Sequence, residues 1–271
     1  MSAEARPTTP AEHIGGTVGP VDFVIDDERV AAFATAIGDQ HPAHRSGAVA
    51  PPTYIVVPTF HLVVQALDQA VGLERMGGGV HGEEDIWVHR PLAAGSRVRA
   101  SATLHGVRVS AAGTRVAIRV RAVADGDLAV EHYWTTFLRG LSLGEPAGPD
   151  TPGHEMSDRD RAGATHRVVV PIPDDITWRY ADVSGDHSPF HTDPAAAAAA
   201  GFPAIILHGM CTLGLAVAAL KPDARRVAAR FARPAHPGQL LVLDTYDAGS
   251  GYLAFEASSQ SSSVLTNGRL E

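Results

Sequence analysis

The chain has 271 residues, enough for one large domain or two small ones. It is 45% hydrophobic and 19% charged, which fits a globular protein with a real core. A formal net charge of -8 argues against the basic face that nucleic acid requires, and a single cysteine, Cys211, excludes a disulfide framework or a Cys-based zinc site.

In chain order, residues 1–17 lack the apolar core of a signal peptide and read as a loose N-terminal arm. No apolar run approaches the ~18 residues of a membrane span, so a reducing cytoplasmic location with no membrane partner is the expectation. A short helix is expected over 28–37, followed by the loop Gly38-Asp39-Gln40-His41-Pro42-Ala43-His44. An apolar helix is expected over 60–71. Val98, Ala100, Ala102 and Leu104 then alternate with Arg97, Arg99 and Ser101, and Val116, Ile118 and Val120 alternate with Arg115 and Arg119. This period of two marks half-buried antiparallel strands. Residues 143–163 are rich in Gly, Pro and charge, a linker composition. Beyond them the order repeats: a helix over 175–183, a loop, an apolar helix over 209–220, and strands over 240–246, 252–257 and 263–270. Lys221 is the only lysine among 22 basic residues, which with the abundant alanine suggests a GC-rich bacterial source.

The repetition is specific. Gly185-Asp186-His187-Ser188-Pro189-Phe190-His191 shares G-D-x-x-P-x-H with the first loop, 147 residues on. Arg233-Pro234 and Gly238 match Arg90-Pro91 and Gly95 at an offset of 143. Two landmarks in one order imply a tandem duplication. Each copy offers one apolar helix and long antiparallel strands, an α+β pattern in which a sheet wraps a central helix. The expected division is an arm at 1–17, a first unit at 18–142, the linker at 143–163 and a second unit at 164–271.

Residues 180–212 carry the chemistry. Asp193 before Pro194 is assigned to helix capping, with Gly201 as the stop. Asp186 and His191 lie in a tight turn that brings side chains five apart toward one point. A carboxylate beside an imidazole can hold a water, the carboxylate taking its proton while an imidazolium delivers one elsewhere. A loop-stabilising Asp with an incidental His fits the spacing equally well. Gly209 opens a helix, whose free N–H groups and positive dipole end can polarise a carbonyl oxygen; close packing is the simpler reason for a glycine there.

At these residues the sequence resembles the MaoC-like dehydratases, the (R)-specific enoyl-CoA hydratases also called hydratase 2. Tyr180, Ala181, Ser184, Gly185, Asp186, Pro189, His191, Asp193, Gly201, Phe202, His208, Gly209 and Met210 fit that motif. Ser188 stands where the family usually has Asn, and a serine can still make the loop hydrogen bond. The resemblance, which reaches Ala50-Pro51-Pro52-Thr53 in the first copy, implies a double hot-dog fold with the catalytic site in the second half. It implies that Asp186 and His191 hold the water, that Gly209 N–H binds the thioester carbonyl, and that Ser188, His208, Met210, Tyr54 and Arg233 meet the substrate. Arg225, Arg226, Arg230 and Arg233 are candidates for carrier phosphates. No metal or separate cofactor is implied: CoA or acyl carrier protein belongs to the substrate. Such chains can also pair into true homodimers. The expected product is an (R)-3-hydroxyacyl thioester, or the trans-2-enoyl thioester in reverse. A hot-dog thioesterase and a non-enzymatic acyl-thioester-binding subunit are the competing readings.

Asp39 and His44 keep the Asp-to-His spacing, but the first copy lacks the H-T-D-P-A-A-A helix. It also has Pro58-Thr59-Phe60 at the expected helix start in place of His-Gly-Met. The first half is therefore expected to be non-catalytic, with Tyr54 and Phe60 lining or plugging an acyl tunnel.

Overall fold

The computed structural model describes residues 9–76, 79–162, 164–247 and 251–271. The first half contains β1 (Thr17–Val24), α1 (Asp27–Ala36), α2 (Pro42–Arg45), α3 (Val56–Val71), β2 (Gly79–Val88), β3 (Arg97–Ser110), β4 (Gly113–Ala124) and β5 (Asp127–Arg139). After α4 (Asp158–Arg161), the second half contains β6 (Ala164–Pro171), α5 (Ile176–Ser184), α6 (Pro194–Ala199), α7 (Gly209–Leu220), β7 (Arg226–Phe231), β8 (Leu240–Asp247), β9 (Leu253–Ser259) and β10 (Ser262–Leu270).

The strands form one ten-stranded sheet in the order β1-β3-β4-β5-β2-β7-β10-β9-β8-β6. The halves use the same strand permutation, read outward from a β2–β7 seam. That mirrored order is the duplication seen in space, and the molecule is a double hot-dog. Every pairing is antiparallel; at the seam Glu83 faces Arg230, Asp85 faces Ala228 and Trp87 faces Arg226.

Each half wraps its sheet around one helix. In α7, every residue from Met210 through Val217 is buried. A helix apolar on all sides is stable in water only when covered on all sides. Each large aliphatic side chain removed from water, such as Leu213 or Leu215, contributes roughly 1.5–3 kcal/mol. The helix of the first half begins earlier than expected. A 3₁₀ turn at Pro52–Ile55 runs directly into α3, so the helical stretch starts at Pro52 rather than near residue 60. Prolines suit a first helical turn, where no N–H partner is needed, and the expectation had placed the start inside the helix. The stretch Pro52–Val71 is the one helix among the described residues with the length and apolarity of a membrane span, contrary to the expectation of none. Here α3 packs against β1, β3 and β4 as the core of its half, which accounts for that composition.

Two segments expected to be loose are partly packed. Residues 1–8 lie outside the described residues, but Pro10 is buried and Gly15 N–H donates to Leu104 O at 3.0 Å. In the stretch read as a linker, His154 and Met156 are buried, and His154 Nδ1 donates to Asn267 O at 2.9 Å. A Ser157–Asp160 capping box starts α4 there.

The seam has an ionic centre. Arg226 donates to both carboxylate oxygens of Asp85, at 3.1 and 2.8 Å, and also to Gly153 O at 2.9 Å. Its guanidinium lies 4.1 Å from the centre of the Trp87 ring.

Candidate active site

The helix α5 ends because Gly185 takes a left-handed conformation, φ 78°, and its N–H donates to Ala181 O at 2.8 Å. Only glycine adopts this turn without strain. Asp186 follows at once. Ser188 donates to Asp186 Oδ1 twice, from its backbone N–H at 3.1 Å and its hydroxyl at 2.6 Å. Ser188 therefore holds the carboxylate in place, as a loop hydrogen-bonder should. Pro189 then opens a 3₁₀ turn that delivers His191. Asp193 accepts from Ala195 N–H and caps α6, the role assigned to it from sequence.

His191 is 6% exposed, and its Nδ1 donates to Ile206 O at 2.8 Å. A carbonyl can only accept, so the proton sits on Nδ1 and Nε2 keeps its lone pair. His208 is tied in the opposite sense: its Nε2 donates to the backbone carbonyl of Asp186 at 2.9 Å. That leaves His208 Nδ1, a buried atom with no hydrogen-bond partner. The two rings stack with centroids 3.7 Å apart and planes at 22°. One ligand atom from each of Asp186, His191 and His208 lies within 4.8 Å of the other two. Asp186 and His191 are not hydrogen-bonded to each other, and the gap suits one bridging water.

The same atoms are metal-ligand types, so a divalent ion must be weighed. Imidazole lone pairs lie in the ring plane, and two nearly parallel rings send them side by side. An ion such as zinc needs both lone pairs aimed at one point ~2.0–2.1 Å from each nitrogen, which stacked, nearly parallel rings disfavour. Hydrogen bonds to a water tolerate that geometry.

Burial lowers the pKa of His191 below the usual histidine value, only partly opposed by the bond to Ile206 and the charge of Asp186. His208 is pushed down to about 4, by burial first and then by the charge of neighbouring His191. With its pKa lowered, the His191 imidazole favours its neutral form at neutral pH. Burial also sets a stability window. The unfolded histidines take up protons near 6.5 while folded His208 resists until about 4. Stability contributed by the neutral form is therefore complete above 6.5 and falls as pH drops toward 4, by about 3 kcal/mol for His208. Urea unfolding at pH 7.5 and 4.5 should show that fall, and in a His208→Gln variant the fall should be smaller.

Gly209 is the first residue of α7, and the helical ladder opens with Thr212 N–H donating to His208 O at 3.0 Å. The N–H groups of Gly209, Met210 and Cys211 thus precede the ladder at the positive end of the helix. A Cβ at position 209 would sit 3.2 Å from the Phe231 ring, so glycine permits that close approach.

Other expected site residues lie further off. Met210 is buried in the core. Tyr54 is 3% exposed and packs edge-on against Phe33, which touches Tyr180, which in turn touches His208. It supports the site through two intervening rings. Arg226 is locked to Asp85 and is not available to a phosphate. Arg230 lies 3.7 Å from Glu83, while Arg225 and Arg233 are exposed. Phe60 packs on Trp134.

Sequence reasoning missed a buried polar cluster at the seam. Glu84 is fully buried; it accepts from His132 Nδ1 at 2.7 Å and from His81 Nε2 at 3.0 Å. Burial alone would raise its pKa, but the two histidines outweigh burial and lower it. His81 stacks on Trp134 at 3.4 Å and lies 4.5 Å from Phe231, the ring beside Gly209. The signal was a glutamate and a histidine among apolar strand residues, which the alternation pattern treats as surface.

Comparisons with known proteins place the chain among relatives. Residues 154–252 match the MaoC like domain, and residues 12–127 match the FAS1-like dehydratase domain region. The chain is 33% identical over 221 residues to 3-hydroxyacyl-thioester dehydratase X of Mycobacterium tuberculosis, covering 80% of this chain and 75% of that one. It is 26% identical to the peroxisomal enoyl-CoA hydratase 2 of Arabidopsis thaliana, covering 70% of this chain and 69% of the relative. In structure it resembles a MaoC-like dehydratase from Phytophthora capsici, with a TM-score of 0.86 at 20% identity and 96% of each chain covered.

Proposed function

The chain belongs to the MaoC-like dehydratases and is a hydro-lyase acting on acyl thioesters, and we propose that it hydrates trans-2-enoyl thioesters to (R)-3-hydroxyacyl thioesters through a water held by Asp186 and His191. The observation that carries this reading is that ligand atoms of Asp186 and His191 lie within 4.8 Å of each other near the N-terminus of α7, with Ser188 engaging only Oδ1 of the carboxylate and Ile206 O engaging only Nδ1 of the imidazole.

The chemistry follows from the protonation states. Neutral His191 Nε2 takes a proton from the bound water while the oxygen adds to C3. Asp186, oriented by Ser188, steadies the water and the imidazolium that forms. Negative charge moves to the thioester oxygen, which the Gly209 N–H and the helix dipole stabilise. The imidazolium then returns the same proton to C2. One water is consumed, its oxygen and one proton bonding to C3 and the other proton to C2. No metal or separate cofactor enters these steps, and the carrier, CoA or acyl carrier protein, arrives with the substrate. The single cysteine, buried and with its thiol pushed up by burial, is compatible with a reducing cytoplasm. Pairing into a homodimer belongs to the same reading.

The test is incubation with crotonyl-CoA and octenoyl-CoA while enoyl absorbance and free thiol are followed. Absorbance should fall without thiol release. Thiol release alone would make the chain a thioesterase, and binding without turnover would make it an acyl-thioester carrier.

A further inference from the structure

The duplicated loop is wired differently in the two halves. In the first half His41 occupies the place of Ser188, and its backbone N–H donates to Asp39 Oδ1 at 2.7 Å. No serine hydroxyl competes, and Asp39 Oδ2 is bonded directly to His44 Nδ1 at 2.7 Å. Both residues are buried, Asp39 at 1% and His44 at 3% exposure. In the second half the equivalent nitrogen of His191 goes to a backbone carbonyl instead. Asp39 and His44 are thus a closed dyad with no room for a water between them, and a second hydration site is not what this geometry builds.

It builds something else. With Nδ1 on Asp39, the remaining nitrogen of His44 is Nε2, and His44 lines a cavity of about 200 Å³. Ile55, Leu92 and Val130 supply an apolar wall, and Arg225 reaches the cavity from across the seam. His41 lines it too, its ring 4.3 Å from His44, and its buried Nδ1 has no hydrogen-bond partner. Arg225 is exposed, and no ion pair among the described residues engages it. Asp223 is a carboxylate on the same rim.

We propose that this cavity is a second ligand site, separate from Asp186 and His191, which takes a short apolar carboxylate. The chain lies against Ile55, Leu92 and Val130. The carboxylate meets the Arg225 guanidinium, whose planar fork matches its two oxygens, and lies beside the His41 and His44 rings. Among the described residues no ion pair ties Arg225 to Asp223, so its fork is open to the ligand's head. Size sets the class: cavities of ~150 Å³ hold a benzene-sized guest, so about 200 Å³ suits roughly six to nine heavy atoms, the size of hexanoate. This inference does not rest on the reading of the second-half site.

Calorimetric titration of the full chain tests it with hexanoate and 1-hexanol. Hexanoate should bind with a Kd on the order of 0.1–1 mM and more tightly than 1-hexanol. Arg225→Ala, a change at an exposed side chain, should weaken hexanoate roughly tenfold and leave hexanol binding unchanged. His191→Ala should leave hexanoate binding intact. In wild type, hexanoate should shift the NMR signals of the His44 ring. The proposal is overturned by no binding at ~10 mM, by equal hexanoate affinity in the Arg225→Ala protein, by tighter binding of 1-hexanol than of hexanoate, or by loss of binding in His191→Ala.

Discussion

Replacing His191 with alanine is expected to lower kcat/KM for crotonyl-CoA hydration by roughly 100- to 10,000-fold, the range for loss of a positioned general base. His191 Nε2 is the free basic atom because Ile206 O holds the Nδ1 proton. Nearby His208 does not substitute: its ring is anchored on the Asp186 carbonyl and its pKa is depressed to about 4, which makes it a poor base near neutral pH. Asp186→Asn should show a loss of similar size, since an amide cannot stabilise the imidazolium. The double variant should fall little below the worse single one, because in the proposed mechanism the two groups act on one water. Both proteins should keep thermal unfolding midpoints within a few degrees of wild type; unfolding at the assay temperature would void the kinetic comparison, and full activity in either folded variant would refute the assignment. The acid limb of kcat/KM should lie below pH 6.5, since burial lowers the His191 pKa and its neutral form is the active one.

A second large effect is expected at the seam. Asp85→Ala should destabilise the fold by roughly 3–5 kcal/mol, read as a lower urea midpoint. The cost comes less from losing attraction than from what remains. Arg226 is 5% exposed, and without Asp85 its charge stays buried with only Glu271 and Gly153 O to meet it. The paired change Asp85→Leu with Arg226→Met should recover most of the loss, because an apolar pair needs no compensating charge. If Asp85→Ala alone leaves the urea midpoint unchanged, the ion pair does not stabilise the junction of the halves.

Much of this protein was legible in its sequence, for a local reason. Turn chemistry, capping and periodicity act over a few residues, so they can be read in a line. Gly185 before Asp186, Asp193 before Pro194, the limits 209–220 of the second central helix and the alternating strands of the first half all followed from such rules. The duplication was legible too, since an inherited repeat leaves matching letters at matching offsets. One local reading fell short: the apolar helix was expected from residue 60, yet a 3₁₀ turn at Pro52–Ile55, where proline suits a first helical turn, runs directly into α3.

Tertiary structure decided what adjacency in space creates. G-D-x-x-P-x-H occurs twice with one spacing, yet Asp39 bonds His44 while Asp186 bonds Ser188 and leaves His191 to a carbonyl fifteen residues away. The partner of each imidazole nitrogen, and so its tautomer, is set by which backbone packs beside it. Burial, which keeps His191 and His208 neutral, depends on the whole sheet closing over α7. The Glu84 cluster arises only when β2 pairs with β5, and the Asp85–Arg226 pair only when β2 meets β7 at the seam. The sequence determined the elements and the residue types of the site; long-range packing decided which of two like motifs ties its histidine to the aspartate and which ties it to a backbone carbonyl.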